Sequence, residues 1–458
     1  MKIGRKGLAY ILSALIVASA SYGAGFTGVG AAAAQALTQT RCEVGAFMQH
    51  SDQAGNVEDT TGSDSVSVDS GDVTSAAAQL KTKAIGVNLI PNPGLESGAT
   101  TPDAWNTTTF GNNQAVFTTV AGHNSPRAVR VDISGYKDGA ADWYYQPVGV
   151  HSGSYYLFTD YYRSDVSTRV NVMFQDNAGR SYYSELQNMP ASSHWTKYQV
   201  SFFVPEGYTK ATVFHPLAAN GTLITDDYYL APAQPKGFNR PIVSLTFDDG
   251  WGSIHDRGLA ILKHNGVVST QYLISGYLGQ DKAYMSVKDV YDFQNSGSEV
   301  GSHTVDHPDL TTLDAGQVNF ELTRSQADLG KCFGTPVDFA APYGTYNSAT
   351  IAQEQKYYET ARSTDDGFNT ADNLNPYHLL VQDMSNDTTQ AQLQSWVDIA
   401  KANHAWLILV YHQVDDSGSP YSRHPADLNR DIQTIKASGI AVETVHNAYS
   451  EVKTQAVR

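Results

Sequence analysis

The chain has 458 residues, a formal net charge of −16 and a pI near 5.2. This length predicts more than one domain, and the acidic balance argues against the basic surfaces that bind phosphates, so nucleic acid is not an expected partner. The 27 tyrosines and 6 tryptophans suit a neutral, sugar-like ligand, although core packing accounts for most aromatic residues. With only two cysteines, a disulfide-held scaffold is excluded.

The N-terminus has the anatomy of a secretory signal peptide. Three basic residues, Lys2, Arg5 and Lys6, precede the apolar run Leu8–Val17, and small-residue sites follow it. We therefore predict a signal peptide over residues 1–36 and a secreted or cell-surface protein. No stable membrane insertion is expected after cleavage; retention of the segment as an anchor is the alternative.

The next segments differ sharply in composition. Residues 37–86 are rich in Ser, Asp, Gly and Thr and predict a disordered linker. Residues 87–232 contain short alternating runs such as AVRVDIS and KYQVSFFV, separated by turn residues about every ten positions. This pattern predicts an all-β antiparallel sandwich. The stretch 231–241 contains three prolines and one glycine, and it predicts a second linker over residues 233–240.

Two motifs of the predicted sandwich, NLIPNPGLESG and GTLITDDYYLAP, resemble the jelly-roll carbohydrate-binding modules that accompany secreted polysaccharide enzymes. The resemblance implies a structural Ca²⁺ with Glu96, Asp226 and Asp227 as ligands. The adjacent aromatic residues 143–145 could form a sugar platform, and core packing is the alternative interpretation.

Residues 241–452 change to an alternation of strands and helices. Apolar runs such as IVSLTF and AWLILVY alternate with helical patterns, the clearest over 315–333. Seven or eight such units predict a parallel barrel or a doubly wound sheet. In both architectures function lies at the carboxyl ends of the strands, where LTFDDG, VGSH, FAAPYG and LVYH stand.

A candidate metal site follows two of these strands. His303 and His307 have the i, i+4 spacing that places two imidazoles on one side of a helical turn. Asp248 and Asp249 end a neighbouring strand at the same rim. One carboxylate and two imidazoles leave coordination positions open, which is typical of a catalytic site.

Two further strand ends offer polar groups. In FAAPYG, proline and glycine impose a tight turn, and the backbone N–H of Tyr343 could face the rim as an oxyanion donor. In LILVYHQV, a buried strand ends at His412, which is either a structural histidine or a proton donor.

Together TFDDG, SHTVDH, APYG and VYH resemble the NodB-homology polysaccharide deacetylases, carbohydrate esterase family 4. The resemblance implies a deformed (β/α)7-type barrel and a divalent metal, usually zinc, with cobalt, nickel or manganese as alternatives. It assigns Asp249, His303 and His307 to the metal and Asp248 to general base catalysis. It further assigns the backbone N–H of Tyr343 as the oxyanion donor and His412 as the general acid. Pro342 and Val410 are placed near the substrate's acetyl group.

The sequence departs from this family in two places. Ala340 and Ala341 stand where many members have an arginine that orients the catalytic aspartate. Arg362, on the next strand, could supply that charge, and surface pairing with nearby aspartates is the alternative. The family motif with the aspartate that supports the general-acid histidine is also not recognisable, and Asp383 or Asp365 could take the place of that aspartate beside His412.

The sequence therefore predicts a secreted metal-dependent deacetylase of acetylated polysaccharides, acting on N-acetylglucosamine units in chitin-like glycans, poly-N-acetylglucosamine or peptidoglycan. One alternative is an O-acetyl esterase of xylan-like polymers. Another is a carbohydrate-binding or adhesion protein without turnover. The oligomeric state is left open.

Overall fold

The computed structural model describes residues 83–456. The signal peptide predicted over 1–36 and all but the last residues of the linker predicted over 37–86 lie outside this range. Among the described helices, none is long and apolar enough to cross a membrane.

The N-terminal domain consists of antiparallel strands in two stacked sheets. One sheet has the order β10-β7-β12-β4-β3, with β1 also pairing with β12; the other has the order β6-β11-β8-β9, and β2 pairs with β5 in a separate ribbon. The strands are β1 Lys83–Ala84, β2 Trp105–Phe110, β3 Gln114–Val120, β4 Ala128–Ser134, β5 Ala140–Tyr145, β6 Val148–Gly149, β7 Tyr155–Ser164, β8 Thr168–Asp176, β9 Ser181–Met189, β10 Ser192–Phe203, β11 Tyr208–Phe214 and β12 Gly221–Gln234.

The alternation seen in the sequence explains the core of this sandwich. In β4 the apolar side chains of Val129, Val131 and Ile133 point inward, as the period of a strand requires. Trp143 and Tyr145 join the same core, with 6% and 0% of their surface exposed. A sugar platform at residues 143–145 is therefore wrong, because two of its three rings are used for packing.

The C-terminal domain alternates strands and helices. Its strands are β13 Ile242–Phe247, β14 Thr270–Leu273, β15 Glu299–Ser302, β16 Asp338–Ala340, β17 Thr360–Asp366, β18 Leu379–Asp383, β19 Trp406–Tyr411 and β20 Ala441–Val442. Its α-helices are α1 Leu259–Asn265, α2 Val287–Gln294, α3 Ala315–Phe333, α4 Ser348–Glu354, α5 Gln390–Asn403, α6 Pro425–Ser438 and α7 Val445–Val452.

The parallel strands form a closed barrel rather than an open, doubly wound sheet. They pair in the order β14-β15-β16-β17-β18-β19-β13, and β13 also pairs with β14, which closes a ring of seven. β20 adds beside β13 outside this ring. The predicted fold class, a β-sandwich followed by a deformed (β/α)7-type barrel, is confirmed.

Strand β19 shows why the barrel strands are continuous apolar runs. All six of its residues are buried, because one face packs against the helices and the other fills the barrel. Leu407 and Leu409 belong to the outer core, whereas Trp406, Ile408 and Val410 belong to the inner one.

The sandwich and the barrel share part of one apolar core. The rings of Phe203 in β10 and Phe368 after β17 lie with centroids 4.8 Å apart, edge to face. Tyr155 of β7 packs into the same cluster. The two domains are therefore joined by packing as well as by the chain between Gln234 and Ile242.

Glu354, the last residue of α4, yields a stability prediction. Its side chain is 1% exposed, and burial raises the pKa from 4.5 to about 8. The unfolded chain therefore releases this proton at lower pH than the folded protein, so stability falls as pH rises from 4.5 towards 8. In Glu354→Gln the free energy of unfolding, relative to wild type, should increase by up to about 5 kcal/mol between pH 4 and pH 9. Urea unfolding at both pH values measures this difference; a constant difference contradicts it.

Candidate metal and catalytic site

The two adjacent aspartates lie at the carboxyl end of β13. The Asp248 N–H donates to the Tyr411 carbonyl at 2.9 Å, which keeps this residue in register with β19. Asp249 and Gly250 then take left-handed backbone angles, with φ of 69° and 74°. This turn sends the two carboxylates in different directions, and such angles outside glycine indicate a functional constraint.

His303 and His307 lie in a loop after β15, so the expected helical turn is wrong. Left-handed angles at Thr304 and His307, with φ of 67° and 59°, fold the loop back instead. Glu321 of α3 fixes this loop by accepting from the N–H groups of Val305 and Asp306 at 2.8 and 3.2 Å. The i, i+4 spacing correctly predicted that the two imidazoles lie together, but a folded loop rather than a helical turn brings them there.

Asp249, His303 and His307 form a compact set of possible metal ligands. Their donor atoms all lie within 4.8 Å of one another, and the two histidine Nε2 atoms are 3.1 Å apart. His303 Nδ1 donates to the Ala340 carbonyl at 2.7 Å, which directs Nε2 towards the set. Trp251 donates to the other Asp249 oxygen at 2.9 Å and fixes that carboxylate.

The electrostatics of this set favour a positive charge. Burial opposes ionisation of Asp249, yet the hydrogen bond and charge of His303 hold its pKa below the usual range. Burial likewise opposes a charge on His303, but Asp249 and Asp248 together raise its pKa. For His307, burial and the charge of His303 lower the pKa to about 4, so its imidazole is neutral, as a ligand must be.

Asp248 lies beside this set and forms a buried ion pair with Arg362. The guanidinium donates directly to Asp248 Oδ2, and the two side chains are only 1% and 4% exposed. The Asp248 Oδ1 atom is buried and has no hydrogen-bond partner within residues 83–456. One oxygen of Asp248 is therefore held by the arginine, while the other is available to a ligand.

The Pro342–Gly344 segment forms a tight turn after β16. Tyr343 has φ 58° and ψ 8°, and its ring lies 4.6 Å from that of His307, so the turn borders the metal set. Its N–H makes no hydrogen bond within the described part of the chain. Pro342 is buried at the start of the turn, whereas the Tyr343 side chain is 65% exposed.

His412 follows β19 and faces the same rim. Its charge contributes to lowering the pKa of Asp249 and of Asp383, although burial raises that of Asp383 overall. Asp365 is engaged elsewhere, since it binds His378 at 2.7 Å. Of the two candidates, Asp383 is therefore the carboxylate close to His412. Val410 is 1% exposed in the inner core just below this rim.

The predicted calcium ligands lie in the sandwich, apart from this site. Asp226 accepts hydrogen bonds from the His123 N–H and Ser125 hydroxyl at 2.8 and 2.9 Å. Glu96 accepts from the Arg127 N–H at 3.0 Å, and Asp227 pairs with His123 at 2.9 Å. These carboxylates are satisfied by protein donors in this structure, and the Ca²⁺ site stays a prediction.

Two contributions could not be assigned from the sequence alone. Trp251 holds one oxygen of Asp249, and the only signal for it in the sequence is its distance of two residues from that aspartate. The Ala340 carbonyl that orients His303 has no signal at all, because any residue supplies a carbonyl.

Comparisons with known proteins agree with this geometry. Residues 236–360 match the family model described as polysaccharide deacetylase. A chitin deacetylase from Pestalotiopsis sp is 34% identical over 133 residues, covering 29% of this chain and 41% of that protein. The putative polysaccharide deacetylase YxkH of Bacillus subtilis is 27% identical over 148 residues, covering 32% and 53%. The chain thus spans about half or less of these curated relatives.

Among solved structures, a family 4 carbohydrate esterase from Streptomyces lividans is 26% identical, covering 44% of this chain and 90% of that one, with a TM-score of 0.33. The resemblance to polysaccharide deacetylases inferred from the motifs is confirmed by the match of residues 236–360 to that family's model and by these relatives.

The ion pair of Arg362 and Asp248 gives a second prediction. Arg362→Met leaves a carboxylate buried without its counter-charge, which should lower the free energy of unfolding by about 3–5 kcal/mol. Adding Asp248→Asn removes that charge and should restore part of the loss. Urea unfolding of the two single variants and the double variant measures the coupling; additive losses contradict a buried pair.

Proposed function

We propose that this chain is a secreted, metal-dependent deacetylase that hydrolyses the N-acetyl groups of N-acetylglucosamine-containing glycans, releasing acetate. The observation that supports it most is the buried, unpartnered Asp248 oxygen beside three clustered metal-ligand side chains. Substrates of this kind are chitin-like chains, poly-N-acetylglucosamine or peptidoglycan, and the chitin deacetylase relative agrees with them.

Asp249, His303 and His307 fit a divalent cation such as zinc. Two imidazole nitrogens only 3.1 Å apart, with a carboxylate oxygen within 3.6 Å of each, match the donor types that zinc prefers. A bound cation would act as a Lewis acid and would lower the pKa of a water towards about 7. Cobalt, nickel and manganese take the same donors, so the metal's identity is left to measurement.

Asp248 is suited to general base catalysis. Arg362 holds Oδ2, which fixes the position of the carboxylate. Oδ1 then accepts a proton from the attacking water as the new C–O bond forms. The arginine here takes the place of the family arginine missing at Ala340, from the neighbouring strand.

Tyr343 and His412, which follow β16 and β19 at the same rim, complete the reaction. The Tyr343 N–H donates to the oxyanion of the tetrahedral intermediate. His412 donates a proton to the amide nitrogen as the C–N bond breaks, which yields acetate and a free amine. Val410 and Pro342 provide the apolar surface next to the acetyl methyl group.

An O-acetyl esterase would use the same base and the same oxyanion donor. It needs proton donation less, because an alkoxide leaves far more readily than the anion of an unprotonated amide nitrogen. A separate acid residue, His412, is therefore the feature that favours N-deacetylation over the ester reaction. A non-catalytic carbohydrate-binding protein has no use for the free Asp248 oxygen.

The role of Asp248 is tested by Asp248→Asn. Loss of a general base should lower kcat by about 10²–10⁴-fold on acetylated chitin oligomers, without loss of bound metal. Acetate release measures the rate and elemental analysis measures the metal. Asp256→Asn, at a carboxylate that is 76% exposed, is the matched control and should retain wild-type activity. Equal activity of Asp248→Asn and wild type would contradict the mechanism.

The metal ligands are tested by Asp249→Ala and His303→Ala. Each removes one of three donors, so purified protein should contain well under half of the wild-type metal and should release no acetate above background. Chelation of wild type should abolish acetate release, and added zinc should restore it. Activity that survives chelation excludes the metal-dependent reaction. Parallel assays on acetylated xylan distinguish the ester reaction.

A further inference from the structure

A cavity of about 500 Å³ lies between the sandwich and the barrel. Strands β9 and β10 line one side of it, and the barrel segment from Asp366 to Leu380 lines the other. Its size is within the range of small-ligand sites. None of the site residues assigned above lines this cavity, so the deacetylation site does not account for it.

Both strands that line the cavity are at sheet edges. β10 is the outer strand of the larger sandwich sheet and β9 is the outer strand of the smaller one. An edge strand has backbone N–H and C=O groups without strand partners on one side. The cavity therefore lies where two edges and their polar groups meet the barrel.

Two buried hydroxyls of β10 lack partners at this place. Tyr198 and Ser201 both line the cavity and are each 2% exposed. Neither hydroxyl has a hydrogen-bond partner within residues 83–456. Buried hydroxyls are nearly always bonded, because an unmade bond costs the desolvation of the group. These two are therefore candidates for binding a polar ligand.

Carboxyl groups from both domains complete the lining. Glu185 comes from β9 and Asp366 from the end of β17. Burial raises the pKa of Glu185, although Arg169 and His378 oppose this, and burial together with Asp383 and Asp365 raises that of Asp366 to about 6. A cation beside either carboxyl would favour its ionised form, and Lys197, the lysine of the lining, is an exposed residue.

The cavity lining includes a residue of the strand that carries Arg362. Asp366 follows Arg362 by four residues on β17, about 13 Å along it. One end of the lining therefore belongs to the same strand as the arginine that binds the proposed base, Asp248.

We propose that this cavity binds a glucosamine-containing part of the same glycan. A free amine lies beside Glu185 and Asp366, and the hydroxyls of Tyr198 and Ser201 bond the sugar. This rests on the proposed function, and it makes partially deacetylated polymer the preferred substrate. The sandwich would then select substrate directly, as one wall of the binding site.

The test is binding of a fully deacetylated glucosamine hexamer to the metal-loaded protein, measured by calorimetry with neutral cellohexaose for comparison. Wild type should bind the cationic hexamer at least 5-fold tighter. Glu185→Gln should lose that preference, while Glu206→Gln, at an exposed sandwich carboxylate outside the cavity, should retain it. Tyr198→Phe should weaken binding about 3- to 10-fold without a lower Tm, because the hydroxyl it removes has no bond to lose.

Equal binding of the two hexamers by wild type, or an unchanged preference in Glu185→Gln, overturns the proposal. Weaker binding by Tyr198→Phe accompanied by a lower Tm also counts against it. Acetate release by the same wild-type sample separates the two ideas. Acetate release without a preference for the cationic hexamer overturns only the proposed glucosamine binding in the cavity, whereas absence of acetate release overturns the proposed function.

Discussion

The central constraint of this protein is the position of β13 in a closed parallel barrel. β13 pairs with β14, β19 and β20, and all six of its residues are buried. A strand fixed on both sides has no freedom to slide, because a shift of one residue would exchange its two buried faces. The two aspartates that follow it are therefore held at one height on the rim, and the other site residues are arranged around them.

Much of this could be predicted from sequence because the relevant signals are local. The helix over 315–333 was predicted from its apolar period and is found at the same bounds. The four motifs at strand ends likewise lie together, because parallel strands bring their carboxyl ends to one rim of the barrel. Ring closure was not predictable: it depends on the pairing of β13 with β14, and no local pattern distinguishes a barrel from an open sheet.

The errors also have physical causes. Spacing alone cannot reveal that Thr304 and His307 adopt left-handed angles, because threonine disfavours them and histidine adopts them only in a minority of cases. A row of aromatics at 143–145 has the same composition whether it binds sugar or fills a core, and burial decides between the two. The sequence allowed Arg362 either to replace the missing family arginine or to pair with surface aspartates. Only the register of β16 and β17 shows that it lies beside Ala340.

The contact between Phe203 and Phe368 bears on how this protein can be divided. A binding module on a flexible tether can be exchanged or deleted without harm to its neighbour. Here deletion of the sandwich would expose an aromatic surface of the barrel to water, so the sandwich cannot be removed without affecting the barrel. Changes in the sandwich over evolution are then constrained by the barrel as well, and a substitution on one side of their common boundary has to be accommodated on the other.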